Sequence, residues 1–109
     1  MTTDRQRAIR KALRATAPGI PLADAQAVLE RAIGGRLRYL PPSIALWLAL
    51  TSHVRHRHTD YDALLADGYD RDAARYFVVE ATDEVLRLWG CARSVADEVA
   101  EAGAEDEEG

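Results

Sequence analysis

One cysteine, one phenylalanine, one methionine and two tryptophans occur in 109 residues, and each shortage excludes something. The single thiol, Cys91, rules out a disulfide within the chain and a thiolate metal cage built by one chain, so a reducing, cytoplasmic location is expected. With aromatics at 6% and hydrophobic residues at 48%, the core has to be filled mostly by Ala, Leu, Val and Ile. Long apolar runs are missing too. The longest stretch free of formal charge, Tyr39 to Val54, has about 16 residues against the roughly 20 that cross a bilayer, and the basic N-terminus lacks the apolar segment of a secretory signal. No membrane role is expected. The chain has no phosphate-cradling glycine loop and no nucleophile elbow around Thr51 or Ser52, so no cofactor is expected and the reading leans away from an enzyme.

What is present is charge, unevenly placed. The formal net charge of −4 is the sum of +7 over residues 1–58 and −11 over residues 59–109. Residues 97–109 alone hold seven Asp/Glu and no Lys/Arg, so residues 1–96 carry +3, and the sequence pI of about 5.3 describes the C-terminus more than the rest. The length suits one domain. Residues 1–102 are expected to form it, with 103–109 a disordered acidic tail.

The apolar spacing predicts an all-α fold, a small bundle of five or six short helices around a central apolar helix. Thr3-Asp4-Arg5-Gln6 matches a capping box and opens a helix over about 4–16, stopped by Pro18-Gly19. A second helix runs from Leu22, with Leu22, Ala25, Leu29, Ala32 and Ile33 on one stripe and Gly34-Gly35 after it. Pro41-Pro42 starts a third, apolar on every face through Ile44–Leu50 and basic to His58. Thr59 is placed as the cap of a fourth helix, Asp60 to Asp67, which Gly68 ends with Tyr69 folding back on Leu64. Asp70 caps a single fifth helix whose stripe is Ala74, Phe77, Val78, Ala81, Val85 and Leu88, stopped by Gly90. Ser94 caps a last one, Val95 to Ala102.

The densest polar segment is His53-Val-Arg-His56-Arg-His58-Thr-Asp60-Tyr-Asp62. His53 and His56 share a helix face, whereas His58 points elsewhere, so His53, His56, His58, Asp60 and Asp62 are weak candidates for a metal or an acid/base site. The plainer alternative is a structural staple in which Asp60 or Asp62 accepts hydrogen bonds from a nearby His or Arg to fix the corner. Arg5, Arg7, Arg10, Lys11, Arg14, Arg36, Arg38, Arg55 and Arg57 are candidate polyanion-binding residues, with Tyr39 available for stacking. The fourth and fifth segments have helix-turn-helix spacing, but the helix that would enter a groove opens Asp70-Arg71-Asp72 and continues through Glu80, Asp83 and Glu84, which phosphate would repel.

Leu40-Pro41-Pro42, the run Arg55-His56-x-His58-Thr59-Asp60-Tyr61-Asp62-x-Leu64-Leu65-x-x-Gly68-x-x-Arg71-x-x-Ala74-Arg75, and Val85-Leu86-x-x-Trp89 together resemble a family of small, mainly bacterial proteins known only as a domain of unknown function, the uncharacterised family 2293 type. The resemblance covers residues 40–89 and implies no activity, substrate or cofactor. The matching positions that packing explains least are His58, Tyr61, Asp62, Arg71 and Arg75, which form the candidate polar site. The leading expectation is a non-catalytic interaction module whose basic face binds an acidic macromolecule, nucleic acid included. A metal or acid/base site at residues 53–62 is the second reading, and self-association into a homo-oligomer through the opposed charges is the third.

Overall fold

A computed structural model describes residues 3–98. Six α-helices and one 3-10 segment follow in order: α1 (Asp4–Thr16), α2 (Leu22–Ile33), the 3-10 segment Gly35–Tyr39, α3 (Pro42–His58), α4 (Tyr61–Ala66), α5 (Arg71–Phe77) and α6 (Val79–Leu88). The chain is helical again from 95 to 98, with the Ser94 hydroxyl accepting the N–H of Asp97 at 3.3 Å. The expected continuation of this helix to Ala102 and the expected acidic tail, 103–109, lie outside the described residues. Among the described residues there is no strand, and the fold is all-α as the apolar spacing predicts.

α1 starts where its capping box places it. Thr3 Oγ1 accepts the N–H of Gln6 and Gln6 Oε1 accepts the N–H of Thr3, each at 3.1 Å. Ile9 and Leu13, one turn apart, then bury one face. α3 is the hub, packed against α1, α2, α4 and α6, with Pro42 in its first turn where a missing N–H costs nothing. Its Leu46, Leu50 and Val54 are fully buried, while Ile44 and Leu48 stay about half exposed, so the apolar run has one face at the surface. Truncating Leu50 to Ala would cost about 2–5 kcal/mol.

Three local expectations need correction. On α2 the buried edge is centred on Val28 and Ala32, a rotation of the stripe that carries Leu22 and Ile33 to the flank, where both are exposed. The fifth helix is two helices. The chain breaks at Val78 (φ −105°, ψ 13°), whose N–H is shared between the carbonyls of Ala74 and Arg75 at 3.3 Å each. Successive β-branched residues, Val78 and Val79, crowd this turn. The core positions after the break become Thr82, Asp83, Leu86 and Trp89, leaving Phe77, Ala81 and Leu88 exposed. Finally, Asp60 rather than Thr59 occupies the N-cap position of α4, with no side-chain cap bond. Thr59 links the two helices instead, donating to the carbonyl of Arg55 at 2.6 Å and accepting the N–H of Tyr61 at 3.2 Å.

Two glycine turns set the remaining geometry. Gly68 (φ 101°) closes α4 with paired bonds, Tyr69 N–H to Leu64 carbonyl and Gly68 N–H to Leu65 carbonyl, both at 3.1 Å. Gly90 (φ 84°) closes α6 in the same way through Cys91 N–H to Leu86 carbonyl at 2.9 Å. The Gly19 N–H donates to the Trp89 carbonyl at 2.9 Å, which docks the α1–α2 turn on the end of α6. Trp89 is thereby held against the last turns of α3.

Candidate functional site

The last turns of α3 carry three imidazoles, and tertiary packing divides them between two carboxylates. His53 Nε2 lies 2.7 Å, and His58 Nε2 2.8 Å, from the same oxygen, Oδ1 of Asp24 in the first turn of α2. His56 Nδ1 lies 2.5 Å from Asp62 Oδ1. His53 is buried, at 4% side-chain exposure, Asp24 is 17% exposed and His58 35%. The two rings meet edge to face at 5.8 Å, and Trp89 stands behind them, 5.3 Å from His58 and 6.4 Å from His53. Burial pushes the Asp24 carboxyl upward, but hydrogen bonds from His53 and His58 and their positive character outweigh it, so its pKa falls below the ordinary value. The sequence spacing pairs His53 with His56; the structure pairs His53 with His58, because α2 delivers its carboxylate between them.

The candidate polar residues disperse around this corner. Tyr61 is buried, its ring 5.2 Å edge-on from His56 and 5.6 Å beneath the Arg55 guanidinium. Asp62 is exposed and tied to His56, while His58 sits apart from both on Asp24. Asp60 is exposed. Arg71 is exposed and has neither a hydrogen bond nor an ion pair among the described residues. Arg75 makes a long 3.9 Å contact with Asp72 and turns toward a cleft.

That cleft, of about 550 Å³, is where basic residues from separate elements converge: Arg31 from α2, Arg36 from the 3-10 segment, Arg55 from α3 and Arg75 from α5, with Leu48, Ser52 and Glu30 also on its walls. Arg31 donates to Ser52 Oγ at 3.1 Å. Arg31, Arg36 and Arg55 form no ion pair among the described residues. The Arg55 Nε is buried without a hydrogen-bond partner there. Burial first, and then the charge of Arg75, lower the Arg55 pKa from its ordinary value. A second cleft of about 460 Å³ shares Glu30 and Arg31 and adds His53, His56 and Arg57.

The other expected basic residues have mixed roles. Arg5 pins α1 to the 3-10 segment, donating to the Leu37 carbonyl at 2.9 Å. Arg7 pairs with Asp4. Arg10, Lys11 and Arg14 are exposed along α1. Arg38 lies 4.7 Å over the ring of Tyr39, which is 76% exposed. The residues that the sequence pattern passes over are Asp24, Arg31 and Asp83. Asp24 belongs to a helix far from the imidazoles in sequence. Its signal is scarcity: only Asp4, Asp24 and Glu30 carry negative charge before residue 59. Asp83, counted in the sequence only among the acids that would repel phosphate, is buried, and its carboxylate accepts the N–H groups of Val95 at 2.7 Å and Ala96 at 3.1 Å. Its place among Val79, Thr82 and Leu86, at helical spacing on the core stripe, is the visible sign.

Among the described residues no helix is long and apolar enough to cross a membrane. Residues 12–90 match a family described as uncharacterized conserved protein (DUF2293). The match reaches back beyond residue 40, through all of α2 to the last five residues of α1, and so includes Asp24 and Arg31. No curated protein and no solved structure matches the chain.

Proposed function

The chain belongs to the DUF2293 family of uncharacterized conserved proteins, and from that premise we propose that it is a non-catalytic interaction module that binds the phosphate backbone of nucleic acid. One observation carries the reading: four arginines from four different elements converge on one cleft, and three of them have no carboxylate partner among the described residues. Four guanidinium groups on a cleft that holds one carboxylate, Glu30, leave a net positive charge, and a bound phosphate offsets it through paired N–H donors. Arg57 lies on the adjoining cleft, and Arg10, Lys11 and Arg14 add exposed positive charge along α1. The exposed Tyr39 ring, with Arg38 over it, offers a platform on which a base can stack.

The test is a fluorescence-anisotropy titration with duplex and single-stranded DNA and RNA at several salt concentrations. Binding should weaken steeply with salt, and Arg31→Gln and Arg75→Gln should each lower the slope of log K against log salt by about 1. Absence of binding at low salt, or slopes that neither substitution moves, would overturn the reading. Sedimentation across the same salt series separates it from self-association, which requires no added polyanion.

A further inference from the structure

We propose that Asp24, His53 and His58 form a binding site for a divalent transition-metal ion of the zinc class. The site stands apart from the arginine cleft, whose walls contain none of the three. Its three donor atoms, one carboxylate oxygen and two imidazole nitrogens, all lie within 4.8 Å of one another. They come from two helices that the core already locks together, His53 and His58 from α3 and Asp24 from α2.

Two features favour an ion over a plain hydrogen-bonded corner. A staple needs one histidine, yet both imidazoles aim their Nε2 atoms at a single oxygen, so the two donors duplicate each other's work. An ion between the three groups would give each nitrogen and the carboxylate its own bond. The required rearrangement is small: zinc bonds of about 2.0–2.1 Å put neighbouring ligands roughly 3.3 Å apart, against 2.7 and 2.8 Å across the two nitrogen–oxygen pairs. The burial pattern also fits. His53 is covered and Trp89 walls the imidazoles, which favours a cation paired with a carboxylate, while His58 remains partly exposed and leaves an entry path. Imidazole and carboxylate donors suit zinc and its neighbours better than magnesium, which prefers an all-oxygen shell. Three protein ligands leave at least one position for water.

The experiment is isothermal titration of the full chain, stripped with chelator, with Zn²⁺, Co²⁺ and Mg²⁺, accompanied by the visible spectrum of the Co²⁺ form. Zn²⁺ and Co²⁺ should each bind one per chain, with Co²⁺ bands of a low-coordinate nitrogen/oxygen site, and Mg²⁺ should compete poorly. His58→Gln, at the most exposed position of the three, should keep the circular dichroism of the parent and weaken Zn²⁺ binding by roughly tenfold or more, since even outer-shell changes cost that much. His56→Gln should leave it unchanged. Failure of Zn²⁺ to bind stoichiometrically, or binding that His58→Gln leaves unweakened, would overturn the assignment.

Discussion

The carboxylate of Asp83, buried in α6, accepts the backbone N–H of Val95 at 2.7 Å and so holds the start of the last helical segment against the core. Its second oxygen accepts from Ala96 at 3.1 Å. A helix start leaves N–H groups without internal partners, and here a side chain from another helix supplies the acceptor at the positive end of the dipole. Asp83→Asn keeps one acceptor but turns an amide N–H₂ toward the other donor. The expected cost is about 1–3 kcal/mol in urea unfolding. Hydrogen exchange should show lost protection at the amides of Val95 and Ala96 before α1 or α3 is affected, and uniform loss across the chain would contradict the assigned role.

Gly90 and Gly68 both take left-handed backbone angles, but only one is also crowded. A Cβ on Gly68 would meet nothing within 4 Å, so Gly68→Ala should cost only the backbone term, about 1–2 kcal/mol. A Cβ on Gly90 would stand 3.0 Å from Cγ of Pro18, in the turn that docks on the end of α6. Gly90→Ala adds overpacking of about 1–3 kcal/mol to the same backbone term. Thermal melts should therefore rank Gly90→Ala well below Gly68→Ala. Equal melting temperatures would mean that the Pro18 contact gives way freely.

Cys91 is the only thiol, it is 8% exposed, and burial raises its pKa above the ordinary value. The folded state therefore prefers the protonated thiol. This contribution to stability is fully present below the pKa of the unfolded thiol and is lost as pH rises through the higher folded value. Native protein should alkylate with iodoacetamide far more slowly than urea-unfolded protein at the same pH, because both access and thiolate fraction are reduced. Comparable rates in the two states would contradict the burial of this side chain.

Helix ends were the most legible part of the fold, because their signals are local. The Thr3/Gln6 capping box, the Asp70 cap and the turns at Gly68 and Gly90 each involve residues within a few positions of one another. The candidate site was less legible because its partners are distant in sequence. Helical spacing alone pairs His53 with His56, and only the packing of α2 on α3 brings Asp24, 29 residues from His53 and 34 from His58, between the two histidines that meet it. Val78 misled for a different reason. Both halves of the expected fifth helix have good apolar spacing, and the break appears only as a shift in which positions are buried, with Asp83 on the core side and Phe77 outside.

The segregated charge yields the last prediction, which rests on the proposed nucleic-acid reading. Removing residues 103–109 deletes Glu105, Asp106, Glu107 and Glu108 and brings the formal net charge from −4 to zero. These acids and a phosphate backbone carry the same sign and compete for the same arginines, so the truncated chain should bind polyanion more tightly at low salt. The gain should shrink as ionic strength rises, because at 0.1 M salt exposed charges are screened beyond about 10 Å. The slope of log K against log salt should therefore be steeper for the truncated chain than for the full chain, with the two lines converging at high salt. An affinity that does not respond to the deletion at any salt concentration would mean that the acidic C-terminus serves solvation alone and does not compete for the basic face.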